Sequence, residues 1–320
     1  MIQKISLTKS GVAVLMLAPV HRGVTTYIMQ GFNLPEFCKA VEREKITVAY
    51  IVPPVALALA KVPIVDKFNL KSLRFMHSSA APTPNEIIVA LHNRLGVPVR
   101  QGYGLSEAAP GVCSQRSETW DKPIGTSGRL TPNMSASFMI DGKEVPTGEE
   151  GEICLKGPNI FKGYFNNPKA TAEAFDSEGW YHTGDIGRAD EQGNIYITDR
   201  MKDLIKYNGF QVAPAQLEDL LLGHPAVADV AVIGVYSEAR VTELPRAYVV
   251  AAAGHTGNER LGETLQSWLN ERVSPHKKLR GGVQFIEAIP KSNAGKVLRR
   301  VLVEQARSEE KQKGPARARL

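Results

Sequence analysis

A chain of 320 residues, 43% hydrophobic and 22% charged, has the composition of a globular protein of about two domains and excludes a disordered or fibrous one. The net charge is +6, but the last fourteen residues hold five Lys/Arg against two Glu, so half of the excess sits in one tail. The balanced body gives little support to a nucleic-acid surface. No run of eighteen apolar residues occurs, so no membrane span is expected. Three scattered cysteines (Cys38, Cys113, Cys154), with no CxxC, argue against a disulfide framework or a zinc knuckle and point to a reducing compartment.

The first eleven residues carry no clear period, and the apolar run Val12–Pro19 reads as a core element, too short for a signal segment. Residues 32–44 predict a capped helix, with Phe37, Val41 and the stem of Lys39 on one face. Residues 46–53 predict a buried strand stopped by Pro53-Pro54. A strand over 73–77, a helix over 85–95 and a strand over 97–101 continue the alternation, the pattern of a parallel sheet with crossover helices. From 128 to 196, short strands and Gly/Pro/Asn/Asp turns predict a β-rich subdomain. Beyond 200–203 the pattern becomes a compact α+β unit: strand 203–207, helix 214–222, strands 227–235 and 246–252, helix 261–272, strand 282–288 and helix 295–307. The fold class expected is therefore α/β, a partial parallel α/β subdomain plus a β-rich subdomain, followed by a small α+β C-terminal domain.

Four stretches carry candidate chemistry. Residues 101–107 (QGYGLSE) read as a glycine-broken turn leaving a strand, with two glycines permitting close backbone approach to a ligand. Ser106 offers a hydroxyl to a phosphate oxygen, and Glu107 is a hard oxygen donor suited to Mg²⁺. Residues 180–185 (WYHTGD) end in an aspartate; it either accepts both hydroxyls of a ribose or simply caps a turn. His182 reads as a packed or turn-stabilising histidine rather than a base, since no acidic or nucleophilic partner is evident nearby. Residues 199–211 (DRMKDLIKYNGFQ) read as a charged linker leading into a turn at Lys206, Asn208 and Gly209. Residues 290–296 (PKSNAGK) lack the spacing of a Walker loop, leaving a turn that presents Lys296 ahead of a helix.

Taken in order, these stretches resemble the signature motifs of the adenylate-forming superfamily of acyl- and aryl-CoA synthetases, luciferases and peptide-synthetase adenylation domains. Residues 73–82 (LRFMHSSAAP), 103–107, 179–185 and 206–218 (KYNGFQVAPAQLE) are most similar to 4-coumarate–CoA ligase-like enzymes. The resemblance implies an ATP-dependent ligase that joins a carboxylic acid to AMP and then passes the acyl group to coenzyme A. It implies that Lys296 is the cation drawing carboxylate and α-phosphate together, and that Glu107 holds Mg²⁺ and Ser106 a phosphate oxygen. By the same resemblance Gln101, Gly102 and Tyr103 line the adenine and acyl side, with Ser79, Ala80 and Ala81 as the neighbouring wall. Asp185 and Arg200 bind the ribose, and Lys202 is the hinge. Lys206, Gly209 and Gln211 face the second-step site, and Lys206 and Gly209 lie beside the pantetheine path. Most relatives carry Thr in place of Ser106 and Gly in place of Ser79.

The domains implied are 1–200, a remnant of the large AMP-binding domain; 201–306, a small mobile C-terminal domain; and 307–320, a basic flexible tail. The Ser/Thr/Gly-rich phosphate loop that ends in Pro-Lys-Gly in the family does not occur in the sequence. We therefore expect a fragment of such an enzyme, exposing a sheet edge and adenylating weakly by itself. The last three residues, Ala318-Arg319-Leu320, have the small–basic–leucine chemistry of a peroxisomal address, which implies an import receptor as a partner. Competing readings are a non-catalytic remnant that binds AMP or acyl-adenylate, and an adenylation domain loading a carrier protein, against which stands the absence of a following carrier serine motif.

Overall fold

The computed structural model describes residues 2–4, 17–29, 31–292 and 296–312. It divides into two compact units, Met1–Thr198 and Asp199–Leu320. Among the described residues, unit 1 opens with β1 (Ile2–Lys4), a short helix α1 (Ala18–Arg22) and β2 (Tyr27–Met29). It continues through α2 (Leu34–Glu44), β3 (Val48–Ile51), α3 (Pro53–Lys61), β4 (Phe75–Ser78), α4 (Asn85–Leu95), β5 (Val99–Gly104), β6 (Gly111–Ser114) and β7 (Arg129–Leu130). The strands form one sheet in the order β2-β1-β3-β4-β5-β6-β7. Pairing is parallel from β2 across to β5 and antiparallel from β5 to β7. The early apolar run lies outside the described residues up to residue 16.

The helices follow from their termini. In α2, Asn33 accepts from the Glu36 amide, and Lys45 closes the far end in the left-handed region. Phe37, Cys38 and Val41 form its buried face, whereas Lys39 is solvent-exposed, so the expected contribution of its stem to that face is not made. Pro53-Pro54 does more than end a strand. Both prolines sit in the first turn of α3, where a missing N–H costs nothing, and Val55, Ala56 and Leu59 face the core of α2, α3, α4 and the parallel strands. The sequence pattern predicts no helix here.

The β-rich part holds β8 (Ser135–Ile140), β9 (Lys143–Glu144), β10 (Gly151–Lys156), β11 (Tyr181–Ala189) and β12 (Ile195–Arg200), in the order β12-β11-β10-β8-β9. A seven-residue helix α5 (Pro168–Ala174) interrupts it, capped by Asn167. Ile153, Leu155 and Tyr181 pack there with Phe161 and Phe175.

Unit 2 contains the hairpin β13 (Ile205–Tyr207) and β14 (Phe210–Val212), then α6 (Pro214–Leu222), β15 (Val227–Ser237), β16 (Thr242–Ala251), α7 (Glu259–Asn270), β17 (Val283–Phe285) and α8 (Arg299–Gln312). The last helix begins at Arg299, later than the expected 295, because Val297 still pairs with Lys291 across a β-bridge. The three-stranded sheet β15-β16-β17 is covered on both sides. Val230 and Val232 face a cluster with Leu217, Leu221, Leu265 and Leu269, while Ala231, Ile233 and Val235 face Leu302 and Ala306. Burial on both faces explains why β15 reads as a continuous apolar run.

Candidate functional site

In unit 1 the residues expected to line a nucleotide cluster around β5. This strand does not break at the glycines, where the sequence predicts a turn. It runs on to Gly104, because β6 continues the ladder with Gly102 opposite Ser114, Tyr103 opposite Cys113 and Gly104 opposite Gly111. The glycines answer to their own neighbours. A Cβ at Gly102 would lie 2.9 Å from the His77 ring and 3.1 Å from the Cys113 carbonyl oxygen, and one at Gly104 would lie 2.0 Å from the Pro110 carbonyl oxygen.

Buried Gln101 clips two segments together. Its side-chain oxygen accepts from the Thr83 amide at 2.7 Å, and its own amide donates to Gln115 Oε1 at 2.7 Å. Thr83 also shares a 2.6 Å hydroxyl contact with Ser78, so the loop carrying Ser79, Ala80 and Ala81 is pinned at both ends. Ser79 donates its amide to the Ile51 carbonyl, and Ala80 holds a left-handed φ of 81°, unusual for a residue with a Cβ.

Tyr103 reaches across to β11. Its hydroxyl donates to Asp185 Oδ2 at 2.5 Å, and both burial and the carboxylate push the phenol far above its ordinary pKa. Asp185 is itself only 5% exposed. Ser106 lies exposed at the start of a 3₁₀ turn, and half-buried Glu107 follows it, accepting from the Tyr164 hydroxyl at 3.3 Å. Glu107 offers a hard carboxylate oxygen of the kind that shares Mg²⁺ with substrate phosphates, so its chemistry fits that ion.

Asp185 sits in an irregularity of the β10–β11 ladder. Glu152 pairs with Ile186 and Cys154 with His182, so Thr183, Gly184 and Asp185 all stand opposite Ile153 alone. Side chains replace the missing ladder bonds. Glu152 Oε1 accepts from the Gly184 amide at 2.9 Å, and Thr183 Oγ1 accepts from the Asp185 amide at 3.1 Å while donating to the Ile153 carbonyl at 2.7 Å.

The expectation that His182 lacks acidic partners is overturned here. Its Nδ1 lies 2.7 Å from Glu152 Oε2 and its Nε2 lies 3.6 Å from Asp176 Oδ2. These carboxylates are six and thirty residues away in the chain, and antiparallel pairing brings the farther one alongside. Burial would raise the pKa of Asp176, but amide bonds from Trp180 and Glu178 together with His182 outweigh it and hold the carboxyl below its usual range. Glu152, Cys154 and His182 also bring oxygen, sulfur and nitrogen atoms within 4.8 Å of one another. The group is closed by its own bonds, however: Glu152 is spent on His182 and Gly184, and burial pushes the Cys154 thiol up to about 12, which keeps it protonated.

Unit 2 carries the remaining candidates. Arg200, exposed at the end of β12, donates its amide to Asp199, and Lys202 is exposed in the 3₁₀ turn Met201–Asp203. Lys206 and Gln211 are direct partners across the β13–β14 hairpin, joined by Asn208 and Gly209 at φ 47° and 82°. Two consecutive positive φ values mark the Asn-Gly hairpin turn. The Lys206 amide donates to Glu243, and its carbonyl accepts from Thr242. Lys296 is exposed, with its amide on the Ser292 hydroxyl and its carbonyl accepting from the Ser292 amide. Just beyond it, Arg299 forms a two-pronged pair with Glu218 at 2.5 and 3.1 Å. Burial would lower the Arg299 pKa, but Glu218, Asp199 and Asp203 outweigh it and raise it.

Comparison with known proteins gives the family to which these residues point. Residues 9–165 match the AMP-binding enzyme family and residues 216–296 its C-terminal domain. The chain belongs to the AMP-binding, adenylate-forming enzymes. It is 42% identical over 297 residues to the probable 4-coumarate–CoA ligase 1 of Dictyostelium discoideum, across 91% of this chain and 53% of that relative. It superposes on ATP-bound MatB from Rhodopseudomonas palustris with a TM-score of 0.85 at 28% identity, across 95% of this chain and 59% of the other. It superposes on the o-succinylbenzoate CoA synthetase MenE of Bacillus subtilis, in complex with its acyl-adenylate intermediate, with a TM-score of 0.80 at 28% identity, across 94% and 60%. The chain spans about half the length of the curated relatives it matches.

Proposed function

We propose that the chain is the AMP-binding and C-terminal part of an ATP-dependent acid–thiol ligase. A carboxylate oxygen attacks the α-phosphorus of ATP, pyrophosphate leaves, and the acyl-adenylate then gives its acyl group to the thiol sulfur of coenzyme A, releasing AMP. The observation that carries this reading is the buried Tyr103–Asp185 pair in the Thr-Gly-Asp bulge, within a chain 42% identical to a probable 4-coumarate–CoA ligase.

The roles follow the chemistry of each group. Asp185 accepts from the ribose hydroxyls, with Arg200 assigned to the same sugar. Tyr103, Gln101 and Gly102 form the adenine and acyl side, with Ser79, Ala80 and Ala81 as its wall. Two anions must meet in the first step, and Lys296, a compact cation with rotatable donors, offsets their repulsion. Ser106 donates to a phosphate oxygen. Glu107 holds Mg²⁺, which when bound neutralises phosphate charge. Lys202 is the pivot between the large domain (1–200) and the small one (201–306), while Lys206, Gly209 and Gln211 serve thioester formation. Residues 307–312, expected in a flexible tail, are the last turns of α8; the rest of the tail, outside the described residues from 313 on, carries the peroxisomal-type address at 318–320.

Acid-dependent ATP–pyrophosphate exchange on the purified 320-residue chain, beside Lys296→Ala, tests the ligase reading. Exchange that falls about a hundredfold or more in the variant supports it, on the scale of losing one transition-state charge contact. AMP binding with neither exchange nor thioester formation from a supplied acyl-adenylate and coenzyme A replaces it with a non-catalytic nucleotide binder.

A further inference from the structure

We propose that Glu152 and His182 are positioning residues that set the bulge carrying Asp185, and so control nucleotide affinity without touching the nucleotide. This rests on the reading that Asp185 takes the ribose.

An irregular ladder leaves backbone amides to be satisfied by side chains, and a bulge re-aims the residue it carries. Three residues face one here, and the Glu152 carboxylate closes the gap together with the Thr183 hydroxyl. One oxygen of Glu152 accepts from Gly184, whose φ of 69° suits a left-handed turn, while the other meets His182 Nδ1. The imidazole in turn lies between Glu152 on β10 and Asp176, which the Trp180 and Glu178 amides hold in place. The chain of contacts runs from Asp176 through His182 and Glu152 to Gly184, the residue before Asp185. Tyr103 fixes the far end of the same aspartate. A carboxylate that must accept two ribose hydroxyls at once needs its rotation settled before the ligand arrives, and charge-assisted contacts in series supply that order.

The test uses the full 320-residue chain and three variants: His182→Ala, Glu152→Ala, and His182→Asn, whose side-chain amide retains a donor near the Nδ1 position. AMP affinity is measured by calorimetry, and exchange of the Gly184 and Asp185 amides by NMR. The proposal expects both alanine variants to bind AMP about tenfold more weakly and to exchange those two amides at least about tenfold faster, while α4 keeps its protection. His182→Asn restores most of both. Alanine variants that match the parent in both readouts overturn it. So does equal loss in His182→Asn and His182→Ala, which marks the ring as packing only. A parent chain that binds no AMP sinks the ribose reading instead; the exchange rates then decide the positioning claim by themselves, unchanged rates in His182→Ala overturning it.

Discussion

The Tyr103 hydroxyl and Asp185 Oδ2 stand 2.5 Å apart, although eighty-two residues separate them in the chain, and this bond ties the parallel sheet to the β-rich one. A phenol that donates to a buried carboxylate removes one direction of torsional freedom from it. Tyr103→Phe leaves the ring in place and deletes only the donor. Charged hydrogen bonds contribute roughly 1.5–3 kcal/mol, so the variant should lose about 2 kcal/mol of stability in urea denaturation. Where Asp185 takes the ribose, AMP binding should weaken with it.

At Gly104 the β5 backbone lies against the backbone at Pro110, just ahead of β6. A methyl group there meets the Pro110 carbonyl oxygen at 2.0 Å, and backbone rather than a flexible side chain must move. Gly104→Ala should cost about 2–3 kcal/mol through the ladder it forces apart, in the range of diagnostic single-site losses. Gly111→Ala, with nothing within 4 Å of its Cβ, is the control and should be close to neutral by thermal melting.

His77 controls part of the acid limb of stability. Burial first, and then the nearby Arg100 charge, lower its pKa from 6.5 to about 4. Its Nδ1 is buried with no hydrogen-bond partner among the described residues. A histidine with a depressed folded pKa stays neutral in the native chain while the unfolded chain takes up a proton. Its contribution is therefore complete above about 6.5 and is lost as pH falls toward about 4, roughly 3 kcal/mol at most. His77→Leu should flatten that limb, so the parent and variant denaturation free energies should converge or cross between neutral pH and pH ~4.5. Parallel curves for the two would remove the assignment.

Arg299 should matter more to folding than the surface pairs do. Its side chain is 17% exposed and pairs with Glu218, itself 14% exposed, which also accepts from the Val232 amide. Deleting one member leaves a buried charge uncompensated, costing about 3–5 kcal/mol. Arg299→Ala should unfold unit 2 early, reported by Trp268, the one tryptophan in that unit. Breaking the Lys169–Glu173 pair, 87% and 68% exposed, should change little.

Much of this protein could be read along the chain. The helices 85–95 and 214–222 have the expected bounds, since glycine stops, proline starts and apolar spacing are local signals. The hairpin at Asn208-Gly209 was equally legible, because its turn chemistry lies in two adjacent residues. The ordered motifs 101–107, 180–185, 199–211 and 290–296 resemble those of the adenylate-forming enzymes, and the family matches agree. The acidic partners of His182, the anchoring of Gln101 to Thr83 and the burial of Arg299 against Glu218 were not legible. Each joins groups between six and eighty-one residues apart whose meeting depends on strand register and helix packing. Spacing within a motif is fixed by covalent geometry, whereas the partner of a buried charge is chosen only when the chain closes on itself and desolvation makes an unpaired one too costly.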